Sequence, residues 1–247
     1  MPGSESSSPE NLVEAAGLLF LSAWNRAHGR ELWVSDGSEG GTMLLDLEPG
    51  NGSSAPKNLT DVGGTLFFSA YDGVHSGELW TSDGTAAGTM LVEDINPGAG
   101  SSHPEALTNI DGRLVFRACK TGSGCEVWVS DGTEEGTWQV AEVATGTTSS
   151  NPSRFVRSGS LVYFSTEDPL HGAELWAIPL SALERTTCTG DCGNDGDVTI
   201  DELITLVNIA LGNMPVTTCE AGDANHDDEI TVDEILSAVN SALNGCG

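Results

Sequence analysis

Positive charge is scarce in this chain: 9 Lys and Arg stand against 37 Asp and Glu in 247 residues, a formal net charge of −28. That balance excludes nucleic acid as a partner, because holding phosphates needs a basic face. It also works against adsorption to anionic membrane surfaces. No apolar run approaches the roughly 18 residues of a membrane-spanning helix, so no membrane insertion is expected. The start, MPGSESSSPE, lacks the basic and apolar regions of a secretory signal peptide. Aromatics make up only 6%, whereas Gly numbers 31, a composition of many turns and short strands.

The scarce residues are unevenly placed. All nine basic residues lie at or before Arg185, and from Thr187 onward there are 12 acids, no Lys or Arg, and four of the six Cys. Two regions of different chemistry are expected, 1–186 and 187–247.

The first region repeats itself. Trp33, Trp80, Trp128 and Trp176 follow at spacings of 47, 48 and 48, within GRELWVSDG, SGELWTSDG, GCEVWVSDG and GAELWAIPL. Pro9, Pro56, Pro104 and Pro152 keep the same spacings, and GLLFLSA, GTLFFSA, GRLVFRA and GSLVYFS form a third series in phase. A fixed period of this size marks a repeat architecture. Each copy holds four short extended stretches between turn residues; in the second these are PKNLTDV, GTLFFSA, GELWTSD and GTMLVEDI. Leu79 and Trp80 are adjacent and so face opposite sides of a strand, yet both are apolar. A strand apolar on both faces needs cover on both. Four strands per copy, sandwiched between neighbouring copies, predicts a mainly β fold: a propeller-like array of four repeats of about 48 residues. A flat β-solenoid is the alternative.

These copies resemble the ELWxxDGT repeat family, through ELWVSDG, ELWTSDGTAAGT and VWVSDGTEEGT over roughly residues 1–180. The resemblance implies a secreted or surface protein of propeller-like repeats and names no reaction. The fourth copy departs from the pattern: ELWAIPLSALE has neither the Asp-Gly turn nor the GTxLV strand. Pro2-Gly3 aligns with Pro49-Gly50 and Pro97-Gly98, which follow the fourth strand of a copy. The expectation drawn from both ends is an unclosed ring in a piece of a longer repeat protein, whose upstream part supplies the missing strand and a signal peptide.

Glu31, Glu78, Glu126 and Glu174 hold one repeat position, and Asp36, Asp83 and Asp131 another. A catalytic site needs a singular constellation with distinct roles. Acids that recur once per copy read as structural, the Asp bonding its own backbone while the following Gly takes positive φ. His28, His75 and His171 recur in the same hairpin of different copies, which argues against their meeting on one zinc ion. In the third copy Cys119 and Cys125 flank a hairpin turn at near-opposite strand positions, within reach of a disulfide. A reactive cysteine pair is the alternative there.

The second region carries two loops with calcium-ligand spacing. Asp191, Asp195, Asp197 and Glu202 fall at positions 1, 5, 7 and 12 of a twelve-residue loop, with Gly196 at 6, Val198 at 8 and Thr199 at 9. A hard cation takes six to eight oxygens, which a tight loop with a distal bidentate Glu supplies. Gly193 leaves position 3 without a side-chain ligand. The second loop begins 32 residues later with Asp223, Asn225 and Asp227 at 1, 3 and 5, Glu229 offering its carbonyl at 7, Thr231 at 9 and Glu234 at 12. Its position 6 is Asp228, a residue that tolerates positive φ better than most. Two Ca²⁺ ions are expected, the second loop binding more tightly. Each loop runs into an apolar-periodic helix, for which Leu203, Leu206, Val207 and Ala210 mark one face of the first, and Ile235, Leu236, Val239, Ala242 and Leu243 that of the second.

Two loop–helix units without full entering helices resemble a type I dockerin module over residues 187–247. The resemblance implies docking to a cohesin-like partner. By motif position, Ile200-Asp201 and Val232-Asp233 match the residues with which dockerins choose partners, and the near-identity of the two pairs implies two docking orientations. Cys188, Cys192, Cys219 and Cys246 flank or enter the loops, and four Cys permit three connectivities. Disulfides and calcium together point to an oxidising, extracellular or cell-surface setting.

The sequence therefore reads as a non-catalytic extracellular repeat platform with a calcium-binding, dockerin-like module, and with room for a carbohydrate or surface ligand on the repeats. The rival readings are a dockerin-bearing propeller enzyme acting on polysaccharide, and a purely structural calcium-stabilised surface protein.

Overall fold

The computed structural model describes residues 5–98, 100–141, 143, 148–168, 172–184, 188–193, 196–225 and 227–245. The chain divides into two compact units, Met1–Leu183 and Glu184–Gly247.

The first unit is built from four antiparallel meanders in which each strand pairs with the next in sequence. They are β1 (Glu10–Ala15), β2 (Leu18–Asn25), β3 (Gly29–Ser35) and β4 (Thr42–Leu45); β5 (Lys57–Val62), β6 (Thr65–Ala70), β7 (Glu78–Ser82) and β8 (Met90–Glu93); β9 (Glu105–Ile110), β10 (Arg113–Lys120), β11 (Gly124–Ser130) and β12 (Thr137–Ala141); β13 (Ser153–Ser158), β14 (Leu161–Asp168) and β15 (Gly172–Pro179). The first hairpin of a copy turns on two residues of positive φ, such as Ala16-Gly17 (50°, 81°) and Asp111-Gly112 (54°, 84°). That is the turn whose twist matches the flanking strands.

Packing follows the two-faced strands. Phe68 and Trp80 bury against Ala15, Phe20, Leu32 and Val34 of the first copy. Phe67 and Leu79, their neighbours in sequence, bury against Leu114, Phe116 and Trp128 of the third. The third and fourth copies meet through Val115, Val127, Val129, Phe155, Val162 and Phe164. Each of the three clusters joins consecutive copies, and among the described residues none joins the fourth to the first, so the sheets do not close. Among the described residues the fourth sheet has three strands rather than four. After β15 comes a short 3₁₀ helix, Leu180–Leu183, whose Leu183 is buried in the third–fourth cluster. β15 is exposed along most of its length.

The repeated motif residues form one loop network. The Asp36 carboxylate accepts from the N–H and hydroxyl of Ser38 at 2.8 and 2.7 Å, and Gly37 takes φ 90°. Asp83 and Asp131 do the same with Thr85 and Thr133. A Cβ on Gly41, Gly88 or Gly136 would strike that carboxylate within 2.2 Å, which accounts for the Gly before the motif's second Thr. His28 and His75 are held locally, by Asp46 at 2.9 Å and Asp72 at 2.8 Å, while His171 lies outside the described residues. Cys119 and Cys125 are directly opposite across β10 and β11 and form a disulfide.

The recurring Glu residues tie consecutive copies together. Glu31 accepts hydrogen bonds from the Leu47 N–H (3.1 Å), the Ser54 N–H (2.7 Å) and the Ser54 hydroxyl (2.5 Å). Glu78 accepts from the Ile95 N–H, the Ser102 N–H and the Ser102 hydroxyl. Glu126 repeats the pattern with Val143 and Ser150. All three carboxyls are fully buried, as are Ser54, Ser102 and Ser150. Burial pushes the Glu78 carboxyl up to about 7; the Ser102 bonds oppose this and the nearby Asp94 charge adds to it. Burial raises Glu31 likewise.

The sign of the pH effect follows. With a folded pKa above the unfolded value of 4.5, the stability contribution of Glu78 is complete below pH 4.5 and is lost as pH rises to about 7. The expected loss is on the order of 3 kcal/mol for a shift of this size. All six Trp lie in this unit, so urea unfolding followed by tryptophan fluorescence reads it alone. The midpoint is expected to fall between pH 4.5 and 7 and then level off, with the slope much reduced in Glu78→Gln. A midpoint independent of pH across that window refutes it.

Candidate functional site

The second unit holds α1 (Ile200–Ala210) and α2 (Val232–Asn244), each preceded by one of the acidic loops. Its core is Val198, Leu206, Ile209, Ile230 and Ala238 with Cys188 and Cys219. Val198 and Ile230, at position 8 of their loops, are both buried. Gly190 and Gly222, each just before a loop's first Asp, sit where side chains cannot: a Cβ would lie 2.4 Å from the Ala238 Cβ and 2.2 Å from the Leu206 Cδ2. The two loop entrances thus pack against opposite helices, and the Gly190 N–H donates to the Ala221 carbonyl at 2.9 Å. A disulfide joins Cys192, at position 2 of the first loop, to Cys219. Cys188 is disulfide-bonded as well, and Cys246 lies outside the described residues.

Both loops are closed by their own acids. Asp223 accepts from the N–H groups of Asp227 (3.1 Å) and Asp228 (2.8 Å). Asp191 accepts from the Gly196 N–H at 2.8 Å. Position 6 is left-handed in each, Gly196 with φ 89° and Asp228 with φ 65°. At position 12, Glu234 bridges the loop. One carboxylate oxygen accepts from the Ala224 N–H at 2.9 Å, the other from the Thr231 N–H and hydroxyl at 2.8 and 2.9 Å. Glu202 does the same with Gly193 and Thr199. The last contacts make a capping box at the start of each helix, so one Glu starts the helix and closes the loop. Burial opposes ionisation of Glu202 and Glu234, but these donors outweigh it and hold both carboxyls below the usual value.

The donor set is all oxygen and suits a hard cation. Position-1 and position-12 carboxylates are fixed by backbone N–H groups, and a carboxylate has acceptor capacity beyond those bonds. Other candidate ligands bond one another here: Asn225 donates to Asp227 at 3.0 Å, and Asp227 accepts from the Glu229 N–H. Among the described residues no three His, Cys, Asp or Glu side chains converge on a common point. Asp195 lies outside the described residues, and Asp197 belongs to the same loop.

The helices differ from the single apolar face expected from their periodicity. In α1, Leu206 and Ile209 are buried and Leu203 packs beside them, whereas Val207 and Ala210 point outward. Val207 instead joins Ile200, Ile204 and Leu211 in an exposed stripe. In α2, Ile235 and Ala238 face the core, while Val232, Leu236 and Leu243 are exposed and Ala242 with them. Adding 32 to 200, 204 and 211 gives 232, 236 and 243, exposed in both halves of the unit, while Val239, the counterpart of Val207, is half-buried. Ile200 and Val232, at the stripes' N-terminal ends, are 76% and 70% exposed, and Asp201 and Asp233 beside them are exposed. The sequence signal for the stripes was an apolar pattern too wide for one core face, repeated at the loop offset.

On the repeats, an open cleft of about 420 Å³ is lined by Glu48, Ser53, Ala55, Tyr71 and His75 of the first and second copies.

No protein-family model matches the chain, and no curated protein sequence matches it. Among solved structures it is similar to a puromycin hydrolase mutant (TM-score 0.48, 13% identity, 71% of this chain and 27% of that one). It is also similar to an acylaminoacyl peptidase of Pyrococcus horikoshii (TM-score 0.42, 14% identity, 68% and 25%) and to the xyloglucan PUL GH43B of Bacteroides ovatus (TM-score 0.31, 18% identity, 70% and 38%). The chain spans about a quarter of the length of the first two. At these TM-scores the likenesses carry nothing about activity.

Proposed function

We propose that this chain is an extracellular docking protein without catalysis of its own, in which a propeller-like repeat platform carries a calcium-dependent, dockerin-like module. The observation that carries the reading is the pair of equivalent exposed apolar stripes on α1 and α2, each beginning at Ile200-Asp201 or Val232-Asp233. A small unit that leaves both helices apolar on the outside presents a contact surface rather than an inefficient core. Two surfaces alike in chemistry suit one cohesin-like partner taken in either of two orientations. Ca²⁺ in both loops would fix the helix starts from which the stripes project, through Asp191, Asp195, Asp197, Thr199 and Glu202 and through Asp223, Asn225, Asp227, Glu229, Thr231 and Glu234. Two disulfides are compatible with an oxidising compartment. The engagement of Glu31, Glu78 and Glu126 in buried ties, and of Asp36, Asp83 and Asp131 in turns, supports a non-catalytic platform, with the Tyr71 cleft as the place for a carbohydrate or surface ligand.

Two measurements on the whole chain test this. Calorimetry is expected to show two Ca²⁺ sites, the tighter one lost in Glu234→Gln; no heat at millimolar Ca²⁺ defeats the reading. Against immobilised cohesin modules, Ile204→Asp or Leu236→Asp alone should leave Ca²⁺-dependent binding, and the double variant should abolish it. Unchanged binding by the double variant, or none by the native chain, excludes docking through the stripes.

A further inference from the structure

The three junctions inside the repeat array show how one copy seats on the next, and among the described residues copies one and four expose the corresponding positions on their outer faces. On the face turned to the preceding copy, Leu66, Leu114 and Val162 are fully buried in copies two, three and four, while the equivalent Leu19 of copy one is 39% exposed. Leu12 is 59% exposed where its equivalent Leu59 is buried in the first–second cluster. On the face turned to the following copy, Leu32, Leu79 and Val127 are fully buried, while the equivalent Leu175 of copy four is 73% exposed. Position for position, one end offers the half-interface that the other lacks.

The hydrogen-bond ties are divided in the same way. Ser54, Ser102 and Ser150 each receive a Glu from the preceding copy. Ser7 holds the same place in copy one: its carbonyl accepts from Trp24 N–H at 2.8 Å, as those of Ser54, Ser102 and Ser150 accept from Tyr71, Cys119 and Glu167. Among the described residues no Glu carboxylate bonds Ser7. Glu174, at the repeat position of Glu31, Glu78 and Glu126, is exposed on β15.

We propose that the fourth copy of one molecule seats on the first copy of a second molecule of this chain, Leu175 entering the apolar face of Leu12 and Leu19 while Glu174 accepts from Ser7. The occupant is a second copy because the chain itself displays this interface three times, and because, among the described residues, no core cluster contains residues of both copy one and copy four. Two different patches meet in such a contact, so it is heterologous, and it extends into oligomers or closes into a ring of molecules.

Sedimentation and light scattering of the whole chain test the proposal. The native mass is expected to rise with concentration from the micromolar range upward. Leu19→Glu spoils one half-interface and Leu175→Glu the other, so each variant alone should remain monomeric. Mixed in equal amounts, they retain one intact half each and should form a dimer and nothing larger. Both positions are exposed, and an unchanged circular dichroism spectrum and melting temperature for each variant keeps misfolding apart from lost association. Glu174→Gln should weaken native self-association without abolishing it. A native chain that stays monomeric at every concentration overturns the proposal. So does a mixture that remains monomeric, or a single variant that associates as the native chain does, which would place the contact on another surface.

Discussion

Replacing Glu78 by Ala is expected to destabilise the repeat unit by about 3 kcal/mol or more. The carboxyl is fully buried and accepts from the Ile95 N–H, the Ser102 N–H and the Ser102 hydroxyl. Ala leaves all three donors without an acceptor where water does not reach, at about 1–3 kcal/mol each, and near pH 6, below its raised pKa of about 7, the carboxyl is mostly protonated, so its removal relieves little buried charge in return. Urea unfolding near pH 6, read by tryptophan fluorescence, measures the loss. Glu174→Ala is the internal comparison, because the same repeat position is exposed there and the change should fall within about 0.5 kcal/mol. Equal costs at the two positions would show that the Glu–Ser tie contributes nothing.

The second large effect is expected from the joint change Cys192→Ser and Cys219→Ser. Their disulfide spans a sequence separation of 27, and loss of such a cross-link costs about 3–4 kcal/mol through the freedom returned to the unfolded chain. The unit Glu184–Gly247 is small, and a core of this size leaves little stability in reserve. The double variant should therefore lose its helical circular dichroism on mild warming while tryptophan fluorescence from the repeats is unchanged. Opening Cys119–Cys125, whose separation is 6, should cost the repeat unit less, about 2 kcal/mol by the same relation. Helices that melt at the native temperature without the Cys192–Cys219 bond would contradict the entropic account.

Much of the repeat architecture was legible in the sequence because its determinants are local or periodic. The Asp-Gly turns are set by an Asp that bonds two residues ahead and a Gly free to take positive φ. The two-sided strand was readable from Leu79 and Trp80 standing side by side, both apolar. Cys119 and Cys125 were readable as a pair because a hairpin turn between them fixes the register. Left-handed backbone at position 6 was set by the loop pattern, with Asp228 accepting it at φ 65°.

The first strand of each copy was not legible in the same detail. Each carries a bulge with a left-handed residue, at Asn11, Asn58, Ala106 and Arg154. Ala and Arg have no preference for that conformation, so the pairing with the next strand, and no local signal, puts it there. Helix faces were misjudged for a related reason. Periodicity says that α1 is apolar on more than one side, but which stripe turns inward depends on Ala238 and Ile230 arriving from the other half of the unit.

The sequence by itself determined the repeat period, the turns, the left-handed sixth position of each acidic loop and the opposed cysteines, since each rests on backbone chemistry within a few residues. Only the tertiary structure decided that Glu31, Glu78 and Glu126 are inter-copy ties and that Val207 faces solvent. Those features rest on contacts between residues 23 positions apart, as Glu31 is from Ser54, or in different copies. A side chain's role there is fixed by which surface is brought against it, and no residue carries that information alone.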